Sequence, residues 1–330
     1  MRARSSAGAI GLLLLVSFLW GTTGTAAAQV PNVSPLAIGA ASLGIGGLLQ
    51  CLVGARSLWA NRSALAENKS MVLFGAVSVM IYPLAFYSSM SLGGVALGTV
   101  ISLGTAPLFS GILERVADGA RLTVRWYAAA ALGILGSALL GFSRATNSEG
   151  SGSAVLTGCL LGLLAGASYA CYSWVTGRLL SAGIKRQSAV GSVFGLGGLL
   201  LMPVLFLTGA PLLESAENLL VAGYLALVPM FLGYLLFGMA LAKVPASTAT
   251  TVTLSEPAVA AALAVGLLNE HLGATGWAGM ALIASALMIL LVWNPRSERE
   301  SVLGPKHQRD CDQGIHCGIC RKDPSAELTR

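Results

Sequence analysis

The chain has 330 residues, of which 55% are hydrophobic and only 10% are charged, and its mean hydropathy is +0.75. These values exclude an ordinary soluble domain and predict an integral membrane protein. The net charge of +6 could indicate a nucleic-acid partner, but the basic residues follow a membrane topology instead, so no nucleic-acid role is expected.

Ten apolar segments, each about the ~20 residues that a helix needs to cross a bilayer, follow one another along the chain. The first five are residues 8–30, 36–55, 70–90, 92–113 and 124–142. The second five are residues 154–176, 188–207, 218–241, 246–268 and 273–293. Between them, residues 143–153 form a polar linker, and residues 294–330 form a tail too polar to fold alone, which we expect to be disordered.

The second five segments repeat the first five. The motif at residues 44–49 returns at residues 195–200, and Pro107 matches Pro257 at an offset of 150 residues. Because each half has an odd number of spans, the halves enter the membrane in opposite senses. The sequence therefore predicts an all-α membrane protein whose ten helices form two inverted five-helix repeats, residues 8–142 and 154–293, as is typical of alternating-access transporters.

The positions of the basic residues predict the orientation. With ten spans, every Lys and Arg except Arg144 falls on the same side as both chain ends. The positive-inside rule places that side in the cytoplasm. Residues 1–28 also resemble a secretory signal, but cleavage would leave the remaining loops against the charge rule, so this segment is interpreted as the first span. The expected location is the cytoplasmic (inner) membrane, crossed many times, with both termini inside.

Glu256 is the strongest functional candidate, because it is an acid ten residues into the ninth segment. A carboxylate at this depth costs at least ~2.5 kcal/mol on insertion scales, so we expect it to face a cavity or a partner rather than lipid. Pro257 follows it and removes a backbone donor near residue 253, and Pro107 is expected to do the same in the fourth segment. A protonated Glu256 that only bonds a neighbouring helix is the alternative.

Several hydroxyl side chains lie at similar depths in the fourth and ninth segments. Thr99, Ser102 and Ser110 share one face of the fourth helix, while Thr253 precedes Glu256 by three residues and Thr250 flanks it. A pocket of hydroxyls with one carboxylate suits a polar solute, such as one that carries an amine. In the alternative, each hydroxyl bonds a carbonyl of its own helix.

Aromatic residues at mid-depth indicate a cavity wall or helix packing, since Trp and Tyr in simple spans prefer the interface. Trp20 in the first segment and Tyr169 in the sixth occupy equivalent repeat positions. Four further tyrosines can extend that wall or pack in the core: Tyr82, Tyr87, Tyr172 and Tyr234.

Cysteines offer little chemistry. Cys51, Cys159 and Cys171 lie in apolar segments, where a thiol packs as a small hydrophobe. The tail carries the other three beside a histidine, and a zinc site is chemically feasible there, but the spacing is poor and a solvated tail is favoured. The four residues of that low-ranking metal hypothesis are Cys311, His316, Cys317 and Cys320.

Enzyme motifs are missing from the sequence, which contains neither a phosphate-binding loop, a G-x-S-x-G elbow nor an H-E-x-x-H motif. We therefore expect no enzyme activity and no cofactor, and secondary transport remains the default mechanism. A membrane-embedded enzyme would need a second titratable group near Glu256, and the segments offer none.

Several local motifs resemble those of the EamA-type carriers of the drug/metabolite transporter superfamily, over roughly residues 8–293. They are Leu19-Trp20-Gly21, the stretch from Phe237 to Ala246, Glu256-Pro257 and Glu270-x-Leu272. The resemblance implies ten helices around a central cavity and export of amino acids, related metabolites or toxic compounds, often by proton exchange. Two positions depart from the family pattern: Ala120 replaces a usual acid, and Ala41-Ser42 replace a common arginine.

The first hypothesis is thus a secondary transporter that exports a small polar metabolite by proton exchange, with the lipid bilayer and a small-molecule substrate as its partners. The alternatives are an exporter of drug-like or lipid-linked compounds and a non-transporting sensor or partner subunit. The sequence does not decide the oligomeric state.

Overall fold

The structure, a computed structural model, describes residues 2–93, 95–144, 152–259, 262 and 273–291. Its helices in the first half are α1 (Arg2–Gly21), α2 (Thr23–Ala27), α3 (Pro35–Ala60), α4 (Arg62–Glu67), α5 (Lys69–Gly93), α6 (Val95–Ala117) and α7 (Val124–Arg144). Those in the second half are α8 (Gly152–Ser181), α9 (Arg186–Thr208), α10 (Ala216–Leu225), α11 (Gly233–Leu241), α12 (Ala246–Val252) and α13 (Ala274–Leu291). No strand occurs within the described ranges.

The helices coincide with the apolar segments of the sequence. Within the described residues, 7 helices are long and apolar enough to cross a membrane, and α7 and α13 contain shorter apolar stretches. Such helices satisfy their backbone hydrogen bonds internally, which a lipid environment requires. The all-α multi-pass membrane fold expected from the sequence is confirmed.

Helix packing follows the inverted repeat. Three helices lie against their own repeat equivalents: α3 against α9, α7 against α13, and α6 against α12. Other contacts join helices of different repeat position: α5 packs on α8, and in the equivalent contact α1 packs on α11. A pseudo-two-fold axis between the halves produces this pattern, because it brings equivalent elements together from opposite sides.

Glycines allow the closest of these approaches. A Cβ at Gly47 would lie 2.2 Å from the Phe194 carbonyl oxygen, and one at Gly198 would lie 2.6 Å from the Gly44 carbonyl oxygen. The two copies of the repeated glycine motif therefore pack directly on one another across the pseudo-two-fold axis. Small residues serve this purpose in membranes, where lipid supplies no hydrophobic drive for helix association.

Two helices of the second half are interrupted at the level of the cavity. Between α10 and α11 the chain forms a π-helical segment, Ala226–Leu232, that contains Pro229. After α12 it tightens into a 3-10 turn, Thr253–Ser255, and α-helix resumes at Glu256. The disturbance expected from Pro257 near residue 253 is therefore observed.

The matching expectation for Pro107 needs correction. Helix α6 runs through this proline without a break. Proline removes one donor, but its fixed φ is compatible with a helix, and the packed neighbours of α6 hold it in shape. The repeats therefore differ at their equivalent prolines.

Candidate functional site

A small cavity of about 10 Å³, room for about one water molecule, lies at mid-depth between the two halves. Side chains from α1, α2, α5, the π-helical segment, α11 and the ninth span surround it. Its lining residues are Trp20, Thr23, Tyr82, Pro83, Phe86, Tyr87, Met230, Tyr234 and Glu256.

Glu256 is the acidic residue among the described residues that line the cavity. The 3-10 turn ends immediately before it, and its side chain is only 6% exposed. Within the described part of the chain, its carboxylate has neither a hydrogen bond nor an ion pair. A buried charge without a partner is costly, so this carboxylate is available to a proton or a ligand.

Trp20 is fixed in place by the interrupted helix opposite. Its indole N–H donates a hydrogen bond of 2.9 Å to the Pro229 carbonyl oxygen in the π-helical segment. Its ring centroid lies 4.9 Å from that of Tyr234. The close approach needs glycine at residue 233, since a Cβ there would lie 2.7 Å from the indole nitrogen.

A second set of rings, which we name the aromatic floor, lies beside the cavity toward the expected cytoplasmic side. Its members are Tyr169, Tyr172, Phe194 and Phe237. Two hydroxyl contacts tie it to the cavity: Tyr172 shares a hydrogen bond of 2.7 Å with Tyr234, and Tyr169 shares one of 2.9 Å with Thr253. The floor is thus bonded to the cavity lining through Tyr234.

The structure divides the residues named from the sequence into two groups. Trp20 and Glu256 line the cavity, and Tyr169 and Thr253 bond to each other directly behind it. The remaining four do not line it: Thr99, Ser102, Pro107 and Pro257. Their role as a second wall stays a prediction.

Two other hydroxyls of this region, those of Thr250 and Ser102, differ in their hydrogen bonds. Thr250 donates to the Ala246 carbonyl oxygen at 2.9 Å and to the Ser110 hydroxyl at 3.3 Å. The buried Ser102 hydroxyl has no hydrogen-bond partner among the residues that the structure describes. For Thr250, the alternative of a hydroxyl bonded to its own helix is therefore the one observed.

Sequence reasoning missed Glu114, which lies at the end of α6 and is 7% exposed. Its carboxylate accepts hydrogen bonds from the Ser247 amide at 2.9 Å and from the Ser247 hydroxyl at 2.5 Å. An anion is favourable at this helix N-terminus. The contact joins the two halves, and the available signal was an acid directly after the predicted fourth segment.

Asp118 forms a second link near the same end of α6. It accepts hydrogen bonds from the Trp174 indole at 2.8 Å and from the Arg178 guanidinium, with which it is also ion-paired. Both partners lie on α8. Together with the Glu114 contact, this contact holds the C-terminal end of α6 to the second half.

Several sequence hypotheses fall outside the described residues. They concern the tail metal ligands Cys311, His316, Cys317 and Cys320, together with most of the linker. Glu270 and Leu272 of the family motif also lie outside. Within the described ranges, no group of three or more His, Cys, Asp or Glu side chains is close enough to hold a metal ion.

Comparison with known proteins places this architecture in a family. The model of the EamA-like transporter family matches the chain twice, at residues 7–142 and 156–292. The chain belongs to the EamA-like transporter family. Like other EamA proteins it is therefore a transporter, and the resemblance noted in the sequence is confirmed.

Two individual matches agree with the EamA assignment. The uncharacterized transporter YwfM of Bacillus subtilis (strain 168) is 33% identical over 281 residues, which cover 84% of this chain and 92% of YwfM. A crystal structure that is 17% identical superimposes with a TM-score of 0.70, over 88% of this chain and 99% of that one. At this identity the second match shows the fold alone.

Proposed function

We propose that this EamA-family transporter exports a small polar metabolite, an amino acid or a related compound with a cationic group, across the cytoplasmic membrane in exchange for protons. The observation that carries the proposal is the unpartnered Glu256 carboxylate in a cavity at mid-depth. Secondary transporters bind substrate at this level, between inverted repeats and beside interrupted helices.

A single carboxylate can couple the two fluxes by competition. Charged Glu256 attracts a cationic substrate, and protonated Glu256 releases it, so proton and substrate occupy the site in turn. The titratable groups that face Glu256 are the tyrosines Tyr82 and Tyr87 on α5, Tyr169 on α8 and Tyr234 on α11. None of the lining residues in the described part of the chain is basic, so none of them supplies a fixed cation that competes with either ligand.

The expected orientation is part of the proposal. Positive-inside counting places both termini, and the Glu114 and Asp118 contacts, on the cytoplasmic side. Reporter fusions after Asn147 should give a periplasmic signal, and fusions after Arg296 a cytoplasmic one. The reverse result, or the same signal from both, contradicts this topology.

The test of transport begins with the substrate. Metabolites that accumulate in medium around overproducing cells, and are retained by cells without the protein, identify candidates. Each is then offered to proteoliposomes under an imposed proton gradient. Uphill movement that stops when the gradient is collapsed supports the proposal, and movement indifferent to the gradient excludes proton exchange.

A further inference from the structure

We propose that Gln50 of α3, which lies outside the cavity, controls the opening of the cavity by holding the π-helical segment against the first half. A cavity with room for about one water molecule admits a solute only after one of its walls moves. The moving wall is the π-helical segment, and Gln50 is the positioning residue that keeps it closed. The inference rests on the proposed function, because it describes how the same transport site opens.

The π-helical segment is an irregular wall of the cavity. Met230 lines the cavity from this segment, and its neighbour Pro229 has no backbone N–H to donate. Single π-helical turns are frequent at functional sites and are places where helices kink. Pro83 also lines the cavity, but α5 runs through it as a continuous α-helix. The angle between α10 and α11 can therefore change at the segment with little loss of regular helix.

Two side chains of the first half hold the segment by its carbonyl oxygens. The Gln50 amide donates a hydrogen bond of 2.5 Å to the Phe231 carbonyl oxygen. The Trp20 indole donates one of 2.9 Å to the Pro229 carbonyl oxygen. Both donors are buried, with Gln50 6% exposed and Trp20 4% exposed. Trp20 belongs to the cavity lining itself, whereas Gln50 acts on the cavity through the segment.

The segment lies directly on a glycine of α3. A Cβ at Gly46 would lie 2.8 Å from the Met230 Cβ and 3.1 Å from the Ala226 carbonyl oxygen. Gly46 offers no side chain that could interlock with the segment. The hydrogen bond from Gln50, one turn later on the same helix, therefore supplies a specific attachment at this contact.

Gln50 also has a second partner within reach. It lines a cleft of about 30 Å³ between α3, α9 and α11, which has room for about two water molecules. Arg186 lines the same cleft, on the side of the membrane that we expect to be cytoplasmic. A buried amide that lost its acceptor would be costly, and water in this cleft can replace the Phe231 carbonyl oxygen. The bond that closes the segment is therefore exchangeable.

The contacts at the two ends of the protein indicate the direction of opening. On the expected periplasmic side, the Tyr224 hydroxyl of α10 shares an exposed hydrogen bond of 2.7 Å with the Thr22 hydroxyl. On the expected cytoplasmic side, the halves are joined by bonds to the carboxylates Glu114 and Asp118. Hydrogen bonds to charged groups are the stronger ones. Movement of the segment should therefore open the cavity toward the periplasm.

Thiol labelling measures this opening without a substrate. In a background without native cysteines, Thr23→Cys reports access to the cavity when a membrane-impermeant reagent is added to washed right-side-out vesicles. Gln50→Met keeps the length of the side chain and removes its amide donor, so the labelling rate should rise at least about threefold.

Gln187→Met is the matched control for this replacement. Gln187 lines the same cleft as Gln50 but is exposed, and its side chain has no hydrogen bond within the described ranges. The labelling rate of Thr23→Cys should therefore stay unchanged in this variant. Equal rates in the two variants, or a rise that occurs only in inside-out vesicles, overturns the proposal.

Hydrogen exchange of the wild-type protein tests the segment even if Gln50→Met folds poorly. In lipid nanodiscs, the amides of residues 226–232 should exchange at least about threefold faster than those of residues 79–85 on α5. Both stretches are seven residues long, contain one proline and line the cavity. Equal or slower exchange in residues 226–232 contradicts a segment that opens.

The outcome is separable from that of the transport test, because neither measurement uses a substrate or a proton gradient. A protein that exports a solute by proton exchange with a segment that does not open refutes only this inference. A protein whose segment opens as described, but which moves no solute, refutes only the proposed function.

Discussion

Two buried carboxylates mark two regions of this protein, and their surroundings differ. Glu114, 7% exposed, accepts two hydrogen bonds from Ser247 where the first half meets the second. Glu256, 6% exposed, has no bonded partner among the described residues and faces a cavity. Equal burial therefore goes with different roles: Glu114 joins two helices, and Glu256 is free to bind a ligand or a proton.

The largest expected effect is on transport. Glu256→Gln keeps the size of the side chain and removes its charge, so proton-driven export in proteoliposomes should fall to the level of empty liposomes. Glu217→Gln, at an exposed acid in the first turn of α10, is the control and should transport normally. If Glu256→Gln still moves substrate uphill in response to pH, Glu256 does not couple the fluxes.

The next largest expected effect is on the rate of thiol labelling, which compares solvent access at two candidate walls of the cavity. In a background without native cysteines, Thr23→Cys should react with a water-soluble thiol reagent, and bound substrate should slow it, because Thr23 lines the cavity. Ser102→Cys should react many times more slowly, because Ser102 is buried outside it. Fast, substrate-sensitive labelling at residue 102 would restore the hydroxyl face of α6 as a cavity wall.

Replacement of the same two acids should affect stability in the opposite order to transport, with the larger loss at Glu114. Glu114→Ala leaves the Ser247 amide and hydroxyl without their acceptor, and loss of such bonds to a charged group costs about 1.5–3 kcal/mol. Glu256→Ala removes a charge that no bond compensates, so the temperature of thermal unfolding should rise or stay unchanged. Thermal unfolding in detergent measures both. A larger loss for Glu256→Ala than for Glu114→Ala contradicts the assigned roles.

This contrast also shows how far sequence reasoning reaches. Span positions, the repeat and the mid-depth location of Glu256 and Trp20 follow from local hydropathy and spacing, which decide what lipid accepts. The bond from Glu114 to Ser247 joins residues 133 positions apart, and no local pattern encodes it. Hydroxyl spacing alone predicts a wall at Thr99 and Ser102, which stays a prediction, whereas Phe86 and Met230 line the cavity without any polar signal in the sequence that could have indicated it.

The smallest expected effect is on stability, and it compares a bonded tyrosine hydroxyl with one that has no bonded partner among the described residues. Tyr172→Phe removes a hydrogen bond of 2.7 Å and leaves the buried Tyr234 hydroxyl without this partner. The free energy of unfolding should therefore be about 1 kcal/mol lower than that of the wild type. The Tyr87 hydroxyl is buried near Ser42 and has no hydrogen-bond partner within the described ranges, so Tyr87→Phe should leave stability unchanged or raise it. Both variants keep the ring and its contacts, which makes each the control for the other. If Tyr87→Phe proves the more destabilising in thermal unfolding, its hydroxyl has a structural partner, and the cavity is less open to a ligand on that side than its lining indicates.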